Sequence, residues 1–188
     1  NNHNAFLTMM EGAFSGKTGF TADAGYCYVG ALKYEGKTMI VALLACGWPN
    51  NKSYKWSDTR KLMEYGLNHY ESKEIWQPVT LPEVTVEKGI SNSGDLFEDP
   101  CAELEIRASE ADREQRILLS EDEEITVEVE CQKNLKAPVK VNQQIGTVTF
   151  KAGELVVGEH PIIVSGAVEE KTFGWYLKRL GRLYFLNN

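Results

Sequence analysis

The sequence predicts an α+β segment of antiparallel strands and one helix, followed by an all-β sandwich and a short amphipathic helix. Three observations predict this order. Strand-like apolar runs joined by glycine turns fill residues 13–46, and a helical stripe follows. Beyond Ile75 the chain changes to short alternating segments, and from Phe173 the helical period returns. We therefore expect three parts, at residues 1–74, 75–168 and 169–188.

The charge of the chain is divided along similar lines. The 188 residues include 20 Lys or Arg and 27 Asp or Glu, which gives a net charge of −7. Residues 1–74 carry a net +1, residues 75–170 carry −12, and residues 171–188 carry +4. A negative chain is not expected to bind nucleic acid, because phosphate recognition needs a basic surface. No run of about eighteen apolar residues is present, so no segment is expected to span a membrane.

The first part is expected to contain a hairpin and a helix. Aromatic and β-branched runs at residues 26–32 and 38–46 flank the turn Glu35-Gly36, which is typical of an antiparallel hairpin. The second run is nearly all apolar, which predicts a strand covered on both faces. After a loop at residues 47–51, Ser57 is expected to cap a helix that reaches Tyr70 and packs its apolar stripe against the core.

The second part is expected to be all β. Its alternating segments lie at residues 79–81, 84–86, 104–106, 125–129, 145–150 and 161–164, at a spacing typical of a sandwich. The acidic run at residues 121–124 lacks the glycine and alternating ligands of a calcium loop, so we expect a solvated turn.

No metal or other cofactor is expected. The three histidines are scattered, and the four cysteines lack the paired spacing of a zinc site or redox motif. Cys27 and Cys46 lie in apolar runs and are expected to be buried thiols. The spacing alone leaves a disulfide between Cys101 and Cys131 open.

The last part is predicted to be an amphipathic helix. One face carries apolar and aromatic residues and the other carries cations; the first set is Phe173, Tyr176, Leu177, Leu180 and Tyr184, and the second is Lys171, Lys178, Arg179 and Arg182. This pattern is typical of a helix at a membrane interface, so we expect residues 171–186 to contact a membrane surface. A helix docked on its own domain is the alternative.

The stretch from Ser15 to Thr21 has three interpretations. Residues 12–18 resemble a phosphate-binding loop, but only three residues separate the glycines where four are needed, and a hairpin follows instead of a helix. A plain strand with an exposed Lys17 is the second interpretation. The third is a strand that binds a peptide carboxylate through Lys17, Thr18 and Thr21. Gly19 would then let substrate lie against the strand edge, and a backbone N–H would serve an oxyanion hole.

The third interpretation agrees with a family resemblance. Residues 2–7, 16–26 and 57–66 resemble the low-molecular-mass penicillin-binding proteins, specifically the D-alanyl-D-alanine carboxypeptidases. Residues 137–140 and 143–148 resemble the all-β domain that follows catalysis in that family, and the basic terminal helix resembles its membrane anchor. The resemblance implies that residues 1–74 are part of a penicillin-binding, β-lactamase-like transpeptidase domain.

The resemblance also implies an activity. Members of this family are serine peptidases that remove the terminal D-alanine from peptidoglycan stem pentapeptides through an acyl-enzyme, bind β-lactams, and act on the outer face of the bacterial cytoplasmic membrane. Lys17 and Thr18 would line the site beside Gly19, Thr21 would bind the terminal carboxylate, and the backbone N–H of Phe20 would form half of the oxyanion hole. In relatives an arginine just before the last helix of the catalytic domain assists in binding the carboxylate. Lys55, in the loop before the helix, is the position here that corresponds to it most nearly.

The nucleophile of that family has no matching position here. None of the nine serines has Lys at the third position after it or Asn at the second. We therefore expect a chain that begins after the nucleophile and is inactive alone. We also expect the missing part of the domain or a second copy to cover the apolar strand at residues 40–45. The alternative from another class is a non-catalytic module that binds cell wall or protein and keeps a vestigial catalytic remnant.

Overall fold

The computed structural model describes residues 4–185. The chain divides into two compact units. The first unit takes the chain up to Lys73 and adds Arg116–Glu124, and the second comprises Glu74–Gln115 and the chain from Ile125 onward. Asn2, His3 and Leu186, which figure in the sequence predictions, lie outside the described residues.

In chain order the helices and strands are α1 (Phe6–Met9), β1 (Ala13–Thr21), β2 (Gly25–Tyr34), β3 (Lys37–Leu43), α2 (Tyr54–His69), β4 (Tyr70–Glu74), β5 (Thr85–Glu87), β6 (Leu104–Ile106), α3 (Glu110–Arg113), β7 (Arg116–Ser120), β8 (Ile125–Cys131), β9 (Asn134–Lys136), β10 (Gln144–Ala152), β11 (Leu155–Val164) and α4 (Phe173–Phe185). A single 3-10 turn lies at Pro49–Asn51, before α2.

The first unit is built on an antiparallel sheet in the order β1-β2-β3. Lys17 of β1 lies opposite Val29 of β2, which in turn lies opposite Ala42 of β3. The turn between β2 and β3 has positive φ at both Glu35 and Gly36, which matches the right-handed twist of the flanking strands. The predicted hairpin is confirmed.

One face of this sheet forms the core of the unit. Its buried side chains come from α1, the sheet and α2: Phe6, Tyr28, Leu32, Val41 and Met63. The other face is open, since Ile40 is 73% exposed and Leu44 is 83% exposed. Within the described residues the strand-like run at residues 38–46 is therefore covered on one face, and the cover of its second face stays a prediction. Successive side chains of a strand point to opposite faces of the sheet, so every second apolar side chain of this run lies on the face that the described residues do not cover.

Helix α2 begins earlier than predicted. It starts at Tyr54, and Ser57 lies inside its first turns, where its hydroxyl donates to the carbonyl of Tyr54 at 3.0 Å. Ser57 is therefore not the N-cap, and Ser53 at that position makes no capping hydrogen bond through its side chain. The helix ends at His69 and the chain continues into β4, which pairs with the distant strand β7.

The second unit contains a four-stranded antiparallel sheet in the order β6-β11-β10-β8 and a parallel pair, β5 with β9. Its buried residues include Val84, Val148, Phe150, Ile162 and Val164. The predicted strand at residues 79–81 is wrong, because this stretch is irregular. Prolines at positions 78 and 82 flank it and cannot donate to a β ladder.

The structure bears on three further features that the sequence analysis discusses in this region. The segment predicted as all β also contains the short helix α3, whose Ser109 and Asp112 form a reciprocal capping box. The acidic run at residues 121–124 is a turn between β7 and β8, as predicted. Cys101 and Cys131 are free thiols.

The predicted C-terminal helix is confirmed as α4. It is amphipathic, and its exposed apolar side chains are Phe173, Leu177, Leu180, Leu183 and Tyr184. None of the helices described within residues 4–185 has the length and apolarity needed to cross a lipid bilayer.

Candidate functional site

Lys17, Thr18, Gly19, Phe20 and Thr21 all lie in strand β1, at an edge of the sheet. Alternation divides their side chains between two faces. Gly16 faces the core, because a Cβ there would lie 2.3 Å from the hydroxyl oxygen of Tyr28. Thr18 and Phe20 share that face, whereas Lys17, Gly19 and Thr21 lie on the open face. The structure thus brings five predicted site residues to one edge strand.

The backbone of Phe20 points away from the sheet. Its partner Tyr26 donates its N–H to Gly47 at 2.8 Å and accepts from the N–H of Cys46 at 2.7 Å, so Tyr26 is bonded on the side away from β1. Facing residues of an antiparallel pair share one hydrogen-bonding pattern. The N–H and C=O of Phe20 therefore point to the open edge, where a ligand can reach them.

Two neighbours of Phe20 leave room and hydrogen-bonding capacity at this edge. A Cβ at Gly19 would meet no atom within 4 Å. The hydroxyl of Thr21 accepts a hydrogen bond from the N–H of Ala24 at 3.0 Å, which closes the turn after β1 and leaves the hydroxyl proton free to be donated. The Lys17 ammonium donates to the carbonyl of Thr18 at 3.1 Å, so it stays close to the strand.

Lys55 lies elsewhere. The sequence placed it in a loop, and that placement is wrong, because it is the second residue of α2. It is only 9% exposed, and its ammonium lies 4.2 Å from the ring centroid of Tyr26 and 5.0 Å from that of Trp56. Tyr26 lies on the helix-covered face of the sheet, so the structure does not bring Lys55 to the face that carries Lys17.

The loop after β3 was missed as a supporting element of the site. The Trp48 indole donates to the carbonyl of Ala22 at 3.0 Å, which ties this loop to the turn that follows Thr21. Gly25 in that turn has φ +68, and a Cβ there would lie 2.8 Å from the carbonyl oxygen of Gly47. The Gly-Trp pair after an apolar strand is the sequence signal for this support, although by itself it predicts only a loop.

Burial favours the neutral form of two titratable groups near β1, Tyr28 and Cys46. The Tyr28 hydroxyl donates to Asn4 at 2.9 Å, and burial raises the pKa of Tyr28 although this hydrogen bond lowers it. Burial also raises the pKa of the Cys46 thiol, whose sulfur lies 2.9 Å from the carbonyl oxygen of Tyr26. Cys46 is therefore protonated at neutral pH and is not an activated nucleophile.

Known proteins resemble the chain over most of its length. Residues 119–170 match the family described as penicillin-binding protein 5, C-terminal domain. The D-alanyl-D-alanine carboxypeptidase DacF of Bacillus subtilis (strain 168) is 22% identical over 180 residues, which cover 95% of this chain and 43% of the relative. The crystal structure of the D-alanyl-D-alanine carboxypeptidase DacD from Francisella tularensis matches with a TM-score of 0.55 and 23% identity, covering 91% of this chain and 40% of that one.

These matches bear on the family and on the fold. The chain spans less than half the length of either relative. At 23% identity, the DacD structure shows a shared fold of mixed helices and antiparallel strands. The chain is therefore identified as similar to the carboxyl-terminal portion of the D-alanyl-D-alanine carboxypeptidases, and its residues 119–170 match the family of penicillin-binding protein 5 C-terminal domains.

Proposed function

We propose that this chain provides one wall of the active site of a serine-type D-alanyl-D-alanine carboxypeptidase. The observation that carries the proposal is the open edge of β1, where the Phe20 N–H points outward beside the unobstructed Gly19. An extended peptide can add to such an edge as a further strand, bonded through its main chain. The family resemblance and the DacF match support a stem peptide ending in D-Ala-D-Ala as that ligand.

In the proposed reaction, each residue of β1 has a distinct role. Lys17 supplies positive potential, and the hydroxyl of Thr21, on the same face, donates to the terminal carboxylate, whereas Thr18 lines the other side of the strand. A serine outside these 188 residues attacks the carbonyl of the penultimate D-alanine, and the Phe20 N–H stabilises the oxyanion. D-alanine leaves with a proton on its amine, and water then hydrolyses the acyl ester. A β-lactam would acylate the same serine.

We propose that Lys55 contributes to substrate binding through the positive electrostatic potential of its ammonium. Its ammonium contacts the ring of Tyr26, which in turn packs on Phe20 with ring centroids 4.6 Å apart. A cation held against aromatic faces adds positive charge near the end of β1 and fixes the rings there. Direct contact with the substrate carboxylate would require this side chain to leave its present position.

The β3 edge and the open face of the sheet carry exposed apolar side chains that need a cover. Exposed Ile40 borders an apolar groove of about 510 Å³ between β3 and α2, lined also by Met39, Leu62, Tyr65 and Tyr70. Contiguous apolar surface of this kind marks a contact with another polypeptide. We propose that the remaining part of the catalytic domain covers it, and that the isolated chain dimerises instead. Light scattering that shows a soluble monomer would count against this part of the proposal.

We further propose that α4 rests on the outer face of the bacterial cytoplasmic membrane. Its exposed apolar side chains are backed by three cations, Lys178, Arg179 and Arg182, and residues 171–185 contain no acid. Such a helix lies in the plane of the interface, with the apolar face toward lipid.

A binding module without catalysis is the second candidate. The observation that favours it is the absence of both serine motifs from the chain. In that case β1 would be a vestigial strand, and the second unit would contact cell wall or a protein.

Fluorescent penicillin separates these candidates. The protein expressed from its complete reading frame should be labelled, and Lys17→Ala should reduce labelling at least about tenfold, equivalent to 1.4 kcal/mol. Lys33→Ala is the matched control, since Lys33 is an exposed lysine on the neighbouring strand β2. An unlabelled wild type would support the binding module, and labelling that survives Lys17→Ala would remove β1 from the site.

A further inference from the structure

We propose that the loop at residues 91–99 presents Phe97 to the lipid surface as a second membrane-contacting element beside α4. The inference rests on the proposed membrane association of α4 and extends it to a separate part of the fold. Phe97 would contact lipid although it lies outside the predicted membrane-contacting residues 171–186.

Phe97 is unusual in its exposure. At 93% it is more exposed than any other large hydrophobic side chain described in residues 4–185. The loop around it is nevertheless fixed by its own hydrogen bonds, because the N–H of Phe97 donates to Asp95 at 2.8 Å and the hydroxyl of Ser93 donates to Glu98 at 2.6 Å. A solvent-exposed phenyl ring on a fixed loop has an unfavourable hydration that contact with lipid would remove.

The loop and the helix share one surface. A shallow cavity of about 250 Å³ is lined by Leu96 and Phe97 of the loop and by Arg179 and Leu183 of α4. Phe97 thus lies beside Leu183, which belongs to the exposed apolar set of the helix. The apolar surface of α4 therefore continues onto the loop.

Two contacts hold the loop against the helical segment. Gly94 has φ +66, and a Cβ there would lie 3.1 Å from the guanidinium carbon of Arg179, so this side chain lies directly on the loop backbone. The buried ammonium of Lys171 donates to the carbonyl of Glu98 at 2.6 Å and lies 3.5 Å from Asp99. The position of Phe97 is therefore coupled to the position of α4.

The charges favour a lipid bilayer as the occupant. The helix contributes Lys178, Arg179 and Arg182, which complement anionic headgroups. The loop carries three acids: Asp99 pairs with Lys171, and the three cations of the helix outnumber Glu98 and Asp95, which accept hydrogen bonds from Ser93 and from the N–H of Phe97. Aromatic and aliphatic side chains backed by cations are what an interface of phospholipid headgroups and acyl chains accepts.

The test is partition of the 188-residue chain onto vesicles of equal parts phosphatidylcholine and phosphatidylglycerol, measured by flotation over a series of lipid concentrations. Phe97→Ser should weaken partition on the order of tenfold, the factor expected for losing one buried large apolar side chain. Phe97→Leu should restore most of the binding. Leu177→Ser reports on α4 itself, and Leu155→Ser is the matched control, since Leu155 is 62% exposed at the start of β11.

The three serine variants test the membrane contact of Phe97 separately from that of α4. If Leu177→Ser weakens partition but Phe97→Ser behaves like Leu155→Ser, the inference about the loop is wrong and the membrane function of α4 stands. If the wild type does not float with vesicles, both fail. Equal losses in all three serine variants would show a general loss of apolar surface and would also overturn the inference.

Discussion

Gly16→Ala is expected to destabilise the first unit although Gly16 lies on the edge strand β1. A Cβ at this position would lie 2.3 Å from the hydroxyl oxygen and 2.9 Å from the Cζ carbon of Tyr28. Tyr28 is 1% exposed and packs edge-to-face on Phe6 and Trp56, so its ring has little room to move. Overpacking of a close-packed core costs about 1–3 kcal/mol, and we expect the upper part of this range here.

The structure also predicts which atom causes the cost. Tyr28→Phe removes the nearest atom, and the next one, the Nδ2 of Asn4 at 2.7 Å, is 0.4 Å farther from the new Cβ. Tyr28→Phe alone should lower the free energy of unfolding by about 1–2 kcal/mol, because the buried Asn4 loses the hydroxyl that donates a hydrogen bond to it. The double variant should then be more stable than the sum of the single changes predicts, by about 1 kcal/mol.

Urea unfolding followed by tryptophan fluorescence measures all three free energies. Gly19→Ala is the matched control on the same strand, because a Cβ there meets nothing within 4 Å. It should be neutral or stabilise by up to about 1 kcal/mol. Equal effects of Gly16→Ala and Gly19→Ala, or strict additivity of Gly16→Ala with Tyr28→Phe, would refute the packing argument.

Two predictions concern the second unit. Lys171→Met should lower the free energy of unfolding by about 1–3 kcal/mol in a urea titration, because it leaves a carbonyl of Glu98 and the carboxylate of Asp99 without their cation; a loss below about 0.5 kcal/mol would contradict this. Hydrogen bonds from Ser109 hold the pKa of Asp112 below its ordinary 3.8, so the stability they give is present above pH 3.8 and is lost as the pH falls through the folded-state pKa. Ser109→Ala should raise the pKa of Asp112 toward 3.8 in an NMR titration, and an unchanged pKa would show that the capping box does not control it.

Local periodicity predicted the elements whose neighbours are close in the chain. The hairpin of β2 and β3 follows from two apolar runs and a glycine turn, and α4 follows from a helical stripe. The start of α2 was misplaced, because Ser57 looks like a cap in sequence while the chain turns into the helix three residues earlier without any capping side chain. The pairing of β4 with β7 joins residues more than forty positions apart, which no local pattern encodes.

The site was predicted only in part, because local sequence patterns bring together only residues that are close in the chain. Lys17, Thr18, Gly19, Phe20 and Thr21 are consecutive, so any strand places them together, and alternation then fixes their faces. Lys55 is distant in sequence, and its position under Tyr26 depends on where α2 starts and how it packs. The outward direction of the Phe20 N–H depends on hydrogen bonds that Tyr26 makes to the loop at Cys46 and Gly47, which the sequence shows only as a loop.

The central proposal is that this chain supplies the substrate-binding strand while the acylated serine lies outside its 188 residues. Peptide mapping of the penicillin adduct on the protein expressed from its complete reading frame tests this most directly. We predict one adduct, on a serine that none of the nine serine positions of this chain accounts for. An adduct on any of those nine serines, or no adduct at all, would contradict the proposal.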